Sequence, residues 1–142
     1  RIRFPILEPK GAASMEQHQE IEVRVRYSET DAMGFLHHSN YLSYFEIGRT
    51  ELFRSQGGNY RDMETGGLYF VVVSFQCNYH RPAHYDDVLR LKTTLTRRGA
   101  AKLEHEYEVY RDDELLATAR SVLACVDREG TVQRIPDLVE EA

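Results

Sequence analysis

Little in this sequence invites a disulfide, a membrane or a metal. Cys77 and Cys125 are the only two cysteines among 142 residues. Both fall inside strand-like runs, with no C-x-x-C and no framework of four or six, which argues against a secreted disulfide scaffold and for buried reduced thiols. No apolar stretch approaches the roughly 18 residues of a membrane span. The opening Arg1-Ile2-Arg3-Phe4-Pro5-Ile6 lacks the apolar segment and cleavage site of a signal peptide, so the cytoplasm is the expected compartment. There is no surplus of positive charge either: the formal charge of −5 argues against a nucleic-acid partner. Also missing are the phosphate-binding G-x-x-x-x-G-K-[ST], the nucleophile elbow G-x-S-x-G and any zinc-ligand spacing. His37 and His38 diverge as neighbours at a helix start and have no third ligand at a sensible spacing, so no metal is expected.

What remains is one domain with a real core. A chain of this length can bury roughly 70% of its unfolded surface, and 42% of its residues are hydrophobic. Residues 1–19 read as an N-terminal appendage, with Pro5, Pro9 and Gly11 and no sustained periodicity. Residues 20–142 read as the folded domain.

From Glu20 the chain alternates. Ile21, Val23, Val25 and Tyr27 face one way, and Glu22, Arg24, Arg26 and Ser28 the other, as in a half-buried strand. A turn-rich Glu29-Thr30-Asp31-Ala32-Met33-Gly34 follows. The period then becomes helical over residues 38–55, with Tyr41, Phe45, Gly48 and Leu52 on one stripe and Leu42 and Phe53 widening it. Ser39 or Asn40 is placed to cap this helix, and Gly57-Gly58 to stop it. Gly48 in mid-helix costs about 1 kcal/mol against alanine, which points to close approach of the helix to a sheet. Four strands follow, over residues 68–79, 88–96, 103–110 and 115–126, and their short links require antiparallel neighbours. One helix cannot cover both faces of five strands, so the predicted architecture is α+β, a five-stranded antiparallel sheet curled around one long helix. The sheet edges and the uncovered face then call for a second copy, a homodimer or homotetramer.

Chemistry concentrates between Tyr27 and Arg49. An acid on a tight loop, a glycine three residues on and a helix start four residues later bring together three things. They are the Asp31 carboxylate, a backbone at Gly34 able to approach a ligand, and free N–H groups at the helix start. Such N–H groups, aided by the helix dipole, stabilise an oxyanion. A carboxylate facing an oxyanion site is what hydrolysis of a reactive ester or thioester needs.

This stretch resembles the D-x-x-G-x-x-x-H-x-x-Y-x-x-Y-x-E-x-x-R signature of 4-hydroxybenzoyl-CoA thioesterase-like hotdog proteins, met here by Asp31, Gly34, His38, Tyr41, Tyr44, Glu46 and Arg49. The Pro82-Ala83-His84-Tyr85-Asp86-Asp87 turn resembles the turn before the family's third strand. With the strand order, the resemblance spans about residues 21–127. It implies a hotdog fold, active sites at a dimer interface and hydrolysis of an acyl-CoA without a cofactor, coenzyme A being part of the substrate. It implies Asp31 as the catalytic acid residue, either nucleophile or general base on water. The position of His38 implies a backbone N–H that polarises the thioester carbonyl. Position 37, often tyrosine or another bulky residue in relatives, is His37 here and bears on the acyl pocket.

Other residues carry two readings each. Asp31 alone is also a plain turn aspartate. Tyr41 and Tyr44 serve packing or, for Tyr41, substrate binding. Glu46 and Arg49, three apart on the helix, form an ion pair at a surface or interface, or Glu46 supports the catalytic residues from behind. Arg97, Arg98 and Lys102 flank a hairpin turn as a solvated loop or as a clamp for coenzyme A phosphates, with Arg81 a weaker candidate. Two other functions fit the same fold, a hydratase or dehydratase acting on acyl thioesters and a non-catalytic acyl-CoA binding module.

Overall fold

The computed structural model describes residues 17–136. Its elements are β1 (Gln17–Arg24), a 3-10 turn (Tyr27–Glu29), α1 (Ser39–Ser55), α2 (Tyr60–Thr65), β2 (Tyr69–Tyr79), β3 (Val88–Arg98), β4 (Lys102–Arg111) and β5 (Glu114–Val126). The strands form one sheet in the order β1-β3-β4-β5-β2, with every neighbouring pair antiparallel. This is the hotdog arrangement, with α1 lying against β1 and β3.

The alternation written in the sequence becomes the inner face. Leu89, Leu91, Thr93 and Leu95 of β3 are buried, as are Leu103, His105, Tyr107 and Val109 of β4. On α1 the stripe Tyr41, Phe45, Gly48 and Leu52 is buried against them, together with Phe53. Burial of these side chains supplies most of the helix's stability, since the isolated segment is only marginally helical. Gly48 is where helix and sheet come closest: a Cβ there would lie 2.3 Å from Thr93 Oγ1 and 2.9 Å from Leu91 Cδ2. Two apolar clusters result, one around Phe45, Leu91 and Tyr107, the other around Leu52, Leu103 and Leu123.

Several local expectations change. β1 begins at Gln17, three residues before the alternation starts, and the rest of the N-terminal segment lies outside the described residues. Tyr27 does not continue the inward face. The chain leaves the strand after Arg24, and Tyr27 opens the 3-10 turn with 77% of its surface exposed. Leu42 is likewise exposed rather than part of the buried stripe. Neither Ser39 nor Asn40 caps α1: His38 occupies the cap position without a side-chain bond, because Ser39 and Asn40 already lie within the first turn. The short α2, capped by the Asn59 side chain on Arg61 and Asp62 N–H, is invisible to periodicity because it spans less than two turns. Cys77 and Cys125 are both free thiols, Cys125 buried and Cys77 half-buried.

Candidate active site

The segment between β1 and α1 is a tight reversal. Thr30 bridges Leu36 and Phe35 bridges His84, so the loop is pinned both to itself and to the turn before β3. Within it, the Gly34 N–H donates to the Asp31 carbonyl at 2.9 Å, and Gly34 holds φ +81°. That left-handed conformation accounts for the glycine. Asp31 Oδ1 accepts the Met33 N–H at 2.9 Å and the Phe35 N–H at 3.1 Å. The carboxylate is thus held by its own loop, as the plain turn reading has it, yet only one oxygen is used. Among the described residues, neither Asp31 Oδ2 nor the His38 backbone N–H takes part in a hydrogen bond.

Asp31 and His38 border one cleft of about 300 Å³, lined also by Phe35, Leu36, Tyr41, Tyr79, His80, Arg81 and Pro82. His38 stands at the start of α1, where backbone N–H groups point outward without intrahelical partners. The walls are largely aromatic and apolar. Tyr41 is buried and meets Tyr79 edge to face, with ring centroids 5.0 Å apart. Burial pushes the Tyr41 hydroxyl up to about 12, so it stays a neutral donor at physiological pH. The Tyr79 hydroxyl reaches the His38 carbonyl at 3.5 Å.

Beneath the loop sits Glu29, a buried carboxylate two residues before Asp31. Its Oε1 accepts the Tyr44 O–H at 2.6 Å and the Arg26 N–H at 2.9 Å, and its Oε2 accepts the Arg26 guanidinium at 2.9 Å. Burial pushes the carboxyl pKa up. The Arg26 guanidinium, the Tyr44 hydroxyl and the Arg26 amide outweigh that, and the net pKa is lowered. The Glu29 carbonyl accepts the His37 N–H and the Asn40 side-chain amide, each at 2.9 Å. At the other rim a charged ladder braces the turn before β3. Arg111 donates to Asp87 at 2.8 Å and to Glu114 at 2.7 Å, and Glu114 also meets Arg81 Nε at 3.0 Å.

Of the residues singled out by sequence, the structure gathers Asp31, His38 and Tyr41 into this cleft and puts Gly34 in the turn that shapes it. His37 stands beside it. Its Nδ1 accepts the Ser39 N–H and lies 2.8 Å from Ser39 Oγ, while its ring stacks on His38 at 4.2 Å. Arg97, Arg98 and Lys102 are not brought there within one chain. They sit at the far end of β3 and β4, roughly 30 Å from the Asp87 end at the usual rise per residue. Arg97 faces Glu104 at 3.9 Å. Tyr44 packs and bonds Glu29, while Arg49 is buried 4.0 Å from an exposed Glu46. Sequence reading missed Glu29, Tyr79, His80 and Pro82 as parts of the site. The last three come from the end of β2, some 40 positions from His38, and only sheet topology brings them in. For Glu29 the i,i+3 pairing with Arg26 was a usable local signal.

Residues 33–118 match the thioesterase superfamily. Two curated relatives are similar over most of their length. The acyl-CoA thioester hydrolase YbgC of Escherichia coli is 33% identical over 106 residues, 74% of this chain and 79% of that protein. The acyl-CoA thioesterase YbgC of Haemophilus influenzae is 35% identical over 106 residues, 74% of this chain and 78% of that one. Among solved structures, the DHNA-CoA thioesterase of Staphylococcus aureus superposes with a TM-score of 0.80 at 28% identity, covering 82% of this chain and 80% of that chain. Fold, loop geometry and these likenesses agree: the chain belongs to the thioesterase superfamily.

Proposed function

We propose that this protein hydrolyses the thioester of an acyl-CoA, with Asp31 and the His38 backbone amide as its catalytic groups. The observation that carries the reading is their placement. Among the described residues, Asp31, whose carboxylate keeps one oxygen unused, and His38, whose N–H at the helix start is unbonded, line the same largely apolar cleft. Asp31 either attacks the thioester carbonyl or takes a proton from the water that attacks it directly. In the first case water then hydrolyses the resulting mixed anhydride, which frees the acid and restores the carboxylate. The His38 N–H holds the oxyanion as it develops. The carbon–sulfur bond then breaks, the coenzyme A thiolate leaves and is protonated, and a carboxylic acid remains. A thiolate is a fair leaving group, so the site needs no strong general acid. Tyr41 and the neighbouring aromatic wall face the acyl group, and coenzyme A enters only as part of the substrate.

The working form is a homo-oligomer, and the cytoplasm is its compartment. β2 supports the first statement. It is an edge strand among the described residues with Val71, Val72 and Val73 all exposed, and Val72 lines a groove with exposed Leu42 of α1. The cationic hairpin of Arg97, Arg98 and Lys102 then serves the coenzyme A phosphates at a site that a second copy completes. No helix among the described residues is long and apolar enough to cross a membrane.

The test is thiol release from short, long, branched and aromatic acyl-CoAs, comparing wild type with Asp31→Asn. A loss of about a hundredfold or more in kcat is expected, the usual scale for a removed acid–base group. A variant that retains full turnover ends the role of Asp31. A folded wild type that binds acyl-CoA but never releases thiol moves the protein to a binding module.

A further inference from the structure

We propose that Glu29 is a positioning residue of the reaction, clamping the Asp31 loop to the first turn of α1. The inference rests on the thioesterase reading above and concerns how its two catalytic groups are held in register. Asp31 and the His38 amide belong to different local structures, a turn and a helix start. Something must fix one against the other, because misplacement by about an ångström can cost a hundredfold in rate. Among the described residues, the Glu29 side chain bonds both α1 and the chain that enters the loop. Its carboxylate takes the Tyr44 O–H, from the second turn of α1, and the amide and guanidinium of Arg26, which caps the 3-10 turn after β1. Its carbonyl takes the His37 N–H and the Asn40 side chain, which frame His38. Two residues on, Asp31 begins its own turn.

Its burial adds to the case. An acid 7% exposed is costly unless its charge is matched and its lone pairs are bonded. A residue needed only to start a helix sits more cheaply at the surface. Here the charge is inside, and its hydrogen bonds tie α1 to the 3-10 turn that leads directly into the Asp31 turn. Glu29 touches no part of the cleft, so it acts through Asp31 and His38 rather than on substrate.

The experiment measures kcat and KM on the best acyl-CoA, thermal unfolding, and amide exchange at Phe35 and His37. Wild type is compared with Glu29→Ala and Glu29→Gln, each also made in the Asp31→Asn background. For Glu29→Ala the expected result is a kcat at least about tenfold lower with KM within about twofold, at a temperature where the variant stays folded. Faster exchange at Phe35 and His37, with the sheet still protected, is expected alongside. Glu29→Gln, which keeps an acceptor for Tyr44 and Arg26, recovers most of the rate. In the Asp31→Asn background Glu29→Ala costs little further. An unchanged kcat with unchanged exchange overturns the proposal, as does an equal loss in both backgrounds. If Glu29→Ala does not fold, Tyr44→Phe removes one hydroxyl from the clamp and decides by the same readouts. A wild type with no turnover on any thioester sinks the thioesterase reading, while exchange at Phe35 and His37 still decides whether Glu29 clamps the loop.

Discussion

Gly48 of α1 stands so close to Thr93 of β3 that a methyl group on the glycine would lie 2.3 Å from the threonine Oγ1. Leu91 closes the other side at 2.9 Å, and Thr93 is fully buried, so neither neighbour has room to yield. Gly48→Ala gains about 1 kcal/mol of helix propensity and loses more to overpacking. The net expectation is destabilisation of about 2 kcal/mol, a melting temperature lower by roughly 5 °C. Thr93→Ala in the same chain restores most of it, because the Thr93 hydroxyl finds no hydrogen-bond partner among the described residues and is a burden already. Thermal unfolding of the two single variants and the double variant measures this coupling. Simple additivity would contradict it.

That contact also marks what the sequence makes legible. A glycine inside an apolar helical stripe says that a backbone comes close, and β1, β3 and β4 declare themselves by alternation because each has one more exposed and one more buried face. Asp31, Gly34 and His38 are readable since turn, glycine and helix start are consecutive. Tyr79, His80 and Pro82 are not, because their place beside Asp31 follows from β2 being threaded to the opposite sheet edge from β1. Tyr27 misleads for a local reason: its alternation is real, but Arg26 and Glu29 bond each other and bend the chain into a 3-10 turn. Nothing in periodicity registers a side-chain bond of that kind.

His105 makes the fold sensitive to mild acid. It lies on the inner face of β4, 4% exposed, with Nδ1 making no hydrogen bond among the described residues. Burial, reinforced by the Arg49 charge, pushes its pKa down to about 3. The folded state therefore holds a neutral imidazole, while the unfolded chain binds a proton near pH 6.5. Stability is full above that pH and falls as pH drops from about 6.5 toward 3. The linkage slope makes the loss about 2 kcal/mol by pH 5. The carboxylates held low by their partners, Glu29 and Asp87 among them, add their own losses only at lower pH. Urea unfolding between pH 7.5 and 5 should show this fall in wild type and a much flatter profile in His105→Leu. Equal slopes in the two proteins would refute it.

The hairpin cations should separate binding from chemistry. Lys102 is exposed, and among the described residues Arg97 meets only Glu104 at 3.9 Å, a surface pair worth little. If they hold coenzyme A phosphates, Arg97→Ala with Lys102→Ala raises KM for an acyl-CoA by roughly tenfold, the scale of two charge-assisted contacts in water. kcat should stay the same. The same acyl group on pantetheine, which lacks the nucleotide phosphates, should show no change in KM. Added salt should weaken acyl-CoA binding to wild type more than to the variant. Equal effects on both substrates would assign the hairpin to the solvated-loop reading instead.

The exposed edge of β2 gives the last prediction. Val72 is 52% exposed on a strand whose far side has no neighbour among the described residues, and it lines a groove with Leu42 and Phe75. An apolar edge of this kind either aggregates or is covered, and natural sheets that stay single put charge there. Val72→Lys should therefore weaken self-association by roughly a hundredfold, about 2.7 kcal/mol, while leaving the monomer folded, since the side chain already faces outward. Sedimentation equilibrium reads the first effect and circular dichroism the second. If the cleft at Asp31 is finished by the second copy, thiol release falls as the oligomer dissociates and returns at high protein concentration. A variant that stays oligomeric and fully active would place the interface elsewhere. One that becomes monomeric yet remains fully active would show that one chain holds the whole site.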